Sequence, residues 1–243
     1  MEDALLAWYG EHARDLPWRR TRDPYAILVS EVMLQQTQVA RVVPRYRAWL
    51  ERWPTAADLA NASMSDVIRE WQGLGNNRRA LNLHRAAQYI AAQGWPEDLT
   101  ELPGVGRYTA DAVARFAYEQ DVLPIDTNVR RVINRTGARF GPAAAHALMD
   151  LGATICLARI PRCPTCPLAD RCPSRGSTYA PLRKQSRFEG SFRQRRAQTL
   201  RLVTERPRRI SQLDGEAVEA LRKEGFLALE GDDRVQLAEF SPS

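Results

Sequence analysis

The sequence predicts a mainly α-helical protein that ends in a small α+β module, and three observations carry that reading. Apolar residues recur at helical spacing through about the first 175 residues, with no alternating strand pattern among them. Four cysteines, Cys156 to Cys172, close that helical region within 17 residues. Beyond them a Pro-, Ser-, Gly- and Arg-rich stretch gives way to two helical patterns and a hairpin pattern.

A chain of 243 residues can bury a sizeable core, as one domain or as two or three smaller ones. Lys+Arg 35 against Asp+Glu 29 gives a formal +6 and a pI near 9.4, which favours a polyanionic partner. The basic residues are arginines except Lys184 and Lys223. The N-terminus carries acids and no long apolar run, and no stretch approaches the ~20 apolar residues of a membrane span. The expectation is a cytoplasmic or nucleoid-associated monomer with no membrane partner.

In chain order, Leu5, Leu6, Trp8 and Tyr9 begin a helix that stops before Leu16-Pro17-Trp18. Pro24 opens a longer one, expected to run through Val32 and Met33 to Val39 and Val43. Helical patterns follow near 44–53, 56–60, 65–72 and 78–93, punctuated by Pro54, Gly73, Gly75, Gly94 and Pro96. Ser63 with Asp66 resembles a capping box. Residues 176–190 read as a linker. Helices are expected over 195–204 and 216–224, then a hairpin of 226–229 with 234–237 turning at Gly231-Asp232-Asp233. Helix, helix, hairpin is the order of a small winged-helix-like module over 191–243.

The stretch Leu102-Pro103-Gly104-Val105-Gly106-Arg107-Tyr108 precedes an amphipathic helical pattern. Two glycines there allow a tight turn and a close approach to another molecule. Such a turn at a helix start presents unpaired N–H groups that suit a phosphate. The cysteines are spaced Cys156-x6-Cys163-x2-Cys166-x5-Cys172. Structural zinc usually takes two short-spaced pairs, so a lone C-x2-C flanked by single cysteines fits a four-thiolate iron–sulfur cluster better. Glu31 lies in the apolar run Leu28-Val29-Ser30-Glu31-Val32-Met33, where local sequence favours an exposed surface glutamate. The other reading puts it in a polar seam with Gln35 and Gln38; facing a cleft, it would be a proton donor near neutral pH. Asp126, in Pro124-Ile125-Asp126-Thr127-Asn128, reads as a helix N-cap or as a carboxylate beside the glycine turn.

Leu102–Tyr108, the segment around Asp126 and the cysteine spacing together resemble the helix-hairpin-helix DNA glycosylases of the endonuclease III superfamily. Leu16-Pro-Trp-Arg19, Ser30-Glu-Val-Met-Leu-Gln-Gln-Thr-Gln-Val39, Gly73-Leu-Gly75 and Leu148-Met-Asp-Leu-Gly-Ala153 are similar to the adenine DNA glycosylase branch. The resemblance implies a two-lobed fold: a helical barrel domain over 23–127 holding the hairpin, and an iron–sulfur domain from 1–22 and 128–175. It implies Glu31 as general acid, Asp126 as the carboxylate that supports the sugar cation, and Cys156, Cys163, Cys166 and Cys172 as ligands of a [4Fe–4S] cluster. The partner would be double-stranded DNA with a mismatched or damaged base pair. Gln35, Gln36, Asn76, Asn77, Arg78, Leu102, Gly104, Val105, Gly106 and Tyr108 are the expected DNA or nucleotide contacts. Bifunctional relatives carry a lysine where this chain has Tyr108, so the resemblance implies hydrolysis without a Schiff base.

Three departures bear on the substrate. Asn76-Asn77-Arg78-Arg79 stands where adenine glycosylases usually have a tyrosine wedge. Tyr108, Asp126 and the Gly-Leu-x-Asn turn also resemble thymine/uracil mismatch glycosylases. The 137–146 segment is shorter than the usual connection, as though one helix were missing. A non-catalytic damage-sensing protein is the third alternative. The tail is too short for the 8-oxoguanine-reading domain of many relatives; its arginine-rich start, with Arg183 and Lys184, could track phosphates.

Overall fold

The computed structural model describes residues 1–180 and 187–238. Arg183, Lys184, the middle of the expected linker and the last five residues lie outside the described residues. The helices are α1 (Glu2–His12), α2 (Pro24–Leu34), α3 (Val39–Arg52), α4 (Ala56–Ala60), α5 (Met64–Trp71), α6 (Arg78–Gln93), α7 (Arg107–Phe116), α8 (Thr127–Thr136), α9 (Ala145–Thr154), α10 (Phe192–Glu205) and α11 (Gly215–Lys223). The strands are β1 (Arg208–Arg209), β2 (Leu227–Glu230) and β3 (Arg234–Leu237), in one antiparallel sheet of order β1-β3-β2. Among the described residues no helix is long and apolar enough to cross a membrane.

The chain forms two compact units. The first takes residues 1–32, 98–101 and the chain from Val105 onward through the cysteines. Its apolar centre joins Leu5 of α1, Val129 and Val132 of α8, Leu148 and Leu151 of α9, and Leu168 of the cysteine loop. Burying each of these aliphatic side chains contributes about 1.5–3 kcal/mol before conformational entropy is counted. Helices α8 and α9 approach closely because α9 carries Gly152: a Cβ there would lie 2.7 Å from Asn128 Cβ and 3.1 Å from its backbone. The connection between these two helices is short. Gly137 ends α8 in the left-handed region (φ 64), and a 3-10 turn from Pro142 leads into α9.

The second unit takes residues 33–97, the Leu102–Gly104 strip and the C-terminal segment. Trp49 packs edge-on against both Trp53 and Trp71, at 4.7 and 5.6 Å between ring centres. Two side-chain caps set its short helices. Thr55 and Asp58 form a reciprocal capping box at α4, and Ser63 Oγ accepts from Asp66 N–H at α5. In the C-terminal segment α10 buries Thr199, Leu200 and Val203, and α11 buries Ala217, Val218 and Leu221.

The expected long helix from Pro24 is two helices. Asp23 caps its start, accepting from the Tyr25 and Ala26 N–H groups, with Pro24 in the first turn where no N–H is needed. It ends at Leu34 because Gln36 takes a left-handed conformation (φ 54) that breaks the hydrogen-bond ladder. The next helix starts at Val39, so Pro44 sits inside α3 and does not open a helix at 44. The strand β1 has no counterpart in the sequence reading, since two arginines carry no strand pattern; its pairing with β3 is what makes it a strand.

Candidate active site and cysteine loop

Glu31 is held on α2 among buried neighbours, Ile27 to Val32, and is itself 6% exposed. The surface reading of this residue is therefore corrected, and so is the polar seam with Gln35 and Gln38. Both glutamines lie beyond the helix end, on a turn that no longer follows helical periodicity. Burial pushes the Glu31 carboxyl up to about 7. The Tyr108 hydroxyl, hydrogen-bonded to it, pulls the value down; the Asp126 charge raises it, and Arg19 lowers it. A carboxyl poised near neutrality can carry a proton to a substrate and still lose it.

Tyr108 lies in the first turn of α7 and reaches Glu31 from there. Burial, then the charges of Glu31 and Asp126, raise its phenol well above the ordinary range, so it acts as a donor. Asp126 is the N-cap of α8: Val129 N–H donates to its Oδ1 at 2.6 Å. Asn128 Nδ2 donates to Oδ2 at 3.0 Å, so the carboxylate has both oxygens engaged from its own helix turn. The N-cap reading holds for this residue, and its charge reaches Glu31.

Behind Asp126 runs a chain of polar contacts toward the cysteines. Arg131 Nη2 donates to Asn128 Oδ1 at 2.7 Å and to Gly152 O at 2.6 Å, while its Nε donates to Cys156 O at 2.7 Å. Arg135, one turn on, donates to Leu157 O and Ala158 O and approaches Cys156 Sγ at 3.4 Å. Its guanidinium lies 3.7 Å from the Tyr179 ring centre.

All four cysteines are half-buried free thiols and line one pocket with Val132, Leu151 and Leu168. Burial raises the Cys166 thiol, a hydrogen bond to the Leu168 backbone lowers it, and the other three thiols raise it further. Gly176 N–H points at Cys163 Sγ, 3.3 Å away. Among the described residues no three Cys, His, Asp or Glu side chains converge on a point as a single ion requires. The donor set is four thiols around an apolar pocket, with backbone and guanidinium N–H groups directed at sulfur; this fits a group with its own volume and anionic sulfurs.

Two residues without an assigned role stand out. Asp150 of α9, fully buried, accepts from Arg14 N and Nε and from both terminal nitrogens of Arg19 at 2.6 and 2.9 Å. Burial alone would raise its carboxyl, but the arginines hold it below the usual range. Arg19 is therefore fixed where its charge reaches Glu31. His146 stacks on Phe116 at 4.1 Å, and burial, with Arg19 and Arg115, pushes its imidazole down to about 4. The visible signal was the same as at Glu31: Ala-His-Ala-Leu-Met-Asp-Leu places charge-capable residues inside an apolar helix.

The predicted DNA contacts divide by exposure. Leu102 and Val105 are buried. Gly104 is left-handed (φ +77), and a Cβ on it would fall 2.6 Å from the Asn82 side chain. Gly106, expected to share that task, has an ordinary φ of −90 and caps α7; nothing lies within 4 Å of a Cβ placed there. Gln36, Asn76 and Arg78 are exposed, Gln35 and Asn77 half-exposed. The two turns bearing them are tied together. Thr37 Oγ1 donates to Leu74 O, and buried Arg79 donates to Met33 O, Thr37 Oγ1, Leu74 O and Gly75 O.

The profile of the HhH-GPD superfamily of base excision DNA repair proteins matches residues 29–148, a span containing Glu31, Tyr108 and Asp126. Adenine DNA glycosylase of Mycolicibacterium smegmatis is 41% identical over 278 residues, covering 96% of this chain and 94% of that protein. The chain belongs to the HhH-GPD superfamily. Adenine DNA glycosylase of Mycobacterium tuberculosis is 45% identical, covering 81% of this chain and 76% of its own length. The human adenine DNA glycosylase is 39% identical over 71% of this chain, which spans 39% of it. Among solved structures, a thermostable thymine-DNA glycosylase superposes with TM-score 0.64 at 28% identity, covering 70% of this chain and 93% of that one. A trapped endonuclease III–DNA intermediate gives TM-score 0.61 at 23% identity, a likeness of fold. The alignment with the M. smegmatis protein is longer than this whole chain, so that superfamily member carries residues within the matched span that this one lacks.

Proposed function

We propose that the protein is a monofunctional adenine DNA glycosylase of base excision repair, removing adenine mispaired with guanine or 8-oxoguanine. The observation that carries the reading is the pairing of unlike carboxyls in one unit. Glu31 is buried and poised near pH 7; Asp126 is anchored by a helix N-terminus. The adenine DNA glycosylase relatives support the choice of base.

Cleavage of an N-glycosidic bond passes through an oxocarbenium-like sugar, as in glycoside hydrolysis. With the nucleotide flipped out of the duplex, protonated Glu31 delivers its proton to a ring nitrogen of adenine, so the base leaves neutral. Asp126 offers its carboxylate to C1′ and stabilises the positive sugar until water adds. Tyr108 holds the Glu31 carboxyl in place. It stands where a lyase would need an amine, and the chain's lysines are Lys184 and Lys223. The Gly104–Gly106 turn offers backbone N–H groups at the start of α7, and the open space over Gly106 admits a phosphate. Cys156, Cys163, Cys166 and Cys172 would hold a [4Fe–4S] cluster, which supplies cross-linking of the loop and a charged centre for DNA binding.

A second reading, excision of thymine or uracil from mismatches with guanine, rests on the likeness to the thymine-DNA glycosylase structure. One experiment decides between them: single-turnover reactions on duplexes bearing A·8-oxoG, A·G, T·G and U·G, with alkali to reveal abasic sites. Product from the adenine duplexes alone is expected. Product from T·G or U·G alone selects the second reading, and tight binding without product on any duplex selects the non-catalytic one.

A further inference from the structure

We propose that the C-terminal segment is a second DNA-phosphate-binding element, and that it meets DNA through α10 and the arginines flanking it, not through α11 or the β2–β3 hairpin. The proposal extends the DNA-repair reading above to a part of the chain beyond the superfamily match, which ends at residue 148. Its first ground is charge segregation within the segment. From Arg187 to Arg209 eight arginines stand against Glu189 and Glu205; from Asp214 to Arg234 seven acids stand against Arg222, Lys223 and Arg234.

The second ground is how those charges are used. Acids at the two ends of α11 pair with α10: Arg195 pairs with Asp214 and Glu216, and Arg196 with Glu224 at 2.7 Å. Arg187, Arg201 and Arg206 point to solvent, and no carboxylate among the described residues pairs with them. On α10 the buried set Thr199, Leu200 and Val203 fixes which face turns inward, and exposed Arg193, Ala197 and Arg201 follow one another outward at four-residue spacing. Ala197 is small, so nothing bulky stands between the two arginines and an approaching backbone. In a helix-turn-helix arrangement the second helix enters the major groove. Here that helix exposes Glu219, and the hairpin turn exposes Asp232 and Asp233, which lowers the attraction of both for phosphates.

The third ground is position. Arg69 Nε donates to Thr204 O at 3.1 Å, and Arg78 lies 3.5 Å from Glu224. Both contacts are inside the second unit, and they dock α10 and α11 against α5 and the start of α6. That start carries Arg78 and adjoins Asn76 and Asn77, three residues expected from the sequence to contact DNA. The arginine stripe therefore extends an expected DNA surface.

The test is binding of the full-length protein to an undamaged duplex oligonucleotide across a salt series. Arg187→Ala/Arg201→Ala/Arg206→Ala should lower the slope of log K against log salt by about three, near one per phosphate contact, and raise Kd about tenfold at fixed salt. The corresponding triple Lys variant should keep the wild-type slope, and Arg222→Ala/Lys223→Ala on α11 should leave it unchanged. An unchanged slope in the triple Ala variant overturns the proposal, as does an equal loss in the α11 variant. Single-turnover excision at saturating DNA should match wild type in all of them. If the wild-type protein excises no adenine, the reading of its chemistry fails while the salt slopes still decide this one.

Discussion

The Tyr108 hydroxyl donates a hydrogen bond to the Glu31 carboxylate in the buried part of the first unit, joining the start of α7 to the last turn of α2. That bond favours the ionised carboxylate, whereas burial favours the acid. Tyr108→Phe removes the first influence and keeps the second. The carboxyl should then titrate higher, and the alkaline limb of the single-turnover pH profile should move to higher pH. A limb that stays in place would separate Tyr108 from the proton donor.

Glu31→Gln should abolish excision and stabilise the fold at neutral and alkaline pH. A carboxyl whose native value is raised binds more protons folded than unfolded between its ordinary value of 4.5 and about 7. Stability therefore falls as pH rises through that window, by an amount on the order of 3 kcal/mol once the group is fully ionised. The variant should melt higher than wild type at pH 8 and about the same at pH 4. Melting curves at the two values check this.

Asp126→Asn separates charge from cap. Asparagine is as good an N-cap as aspartate, so the melting temperature should hold. The rate should drop at least about a hundredfold because the sugar cation loses its counter-charge. A near-wild-type rate would sink the mechanism.

Gly152→Ala tests the close approach of α8 and α9. The new Cβ meets the Asn128 side chain at 2.7 Å and its backbone at 3.1 Å, so the helices must part. Overpacking of this kind costs about 1–3 kcal/mol. Asn128 also donates to Asp126, so excision should slow together with the loss in denaturant midpoint.

For the cysteine loop, purified protein should be brown and contain iron and acid-labile sulfide in equal amounts. Cys166→Ser should lose the colour and lower the melting temperature, because Leu168 of the same loop is part of the apolar centre. Colourless, iron-free wild-type protein would contradict the cluster.

Much of this molecule was legible in its sequence. The α6 boundaries follow from helical spacing between Asn77 and Gly94, and α8 begins where Asp126 caps it. The cysteine spacing marks the loop. These are local matters, set by periodicity, capping chemistry and spacing along the chain.

The remainder depended on packing. Whether Glu31 faces water or the interior cannot be read from an apolar helix whose every face is buried; only the neighbours of α2 desolvate it and bring Tyr108 to it. Asp150 and His146 acquire their character only where Arg14, Arg19 and Phe116 arrive from distant parts of the chain. The break at Gln36 is held by Arg79, more than forty residues away, whose guanidinium binds carbonyls of both turns. Residue order alone fixes which chemical groups are present and which helices carry them. Which of them lose water and which find partners is set by contacts between distant segments, because desolvation and hydrogen bonding depend on neighbours in space.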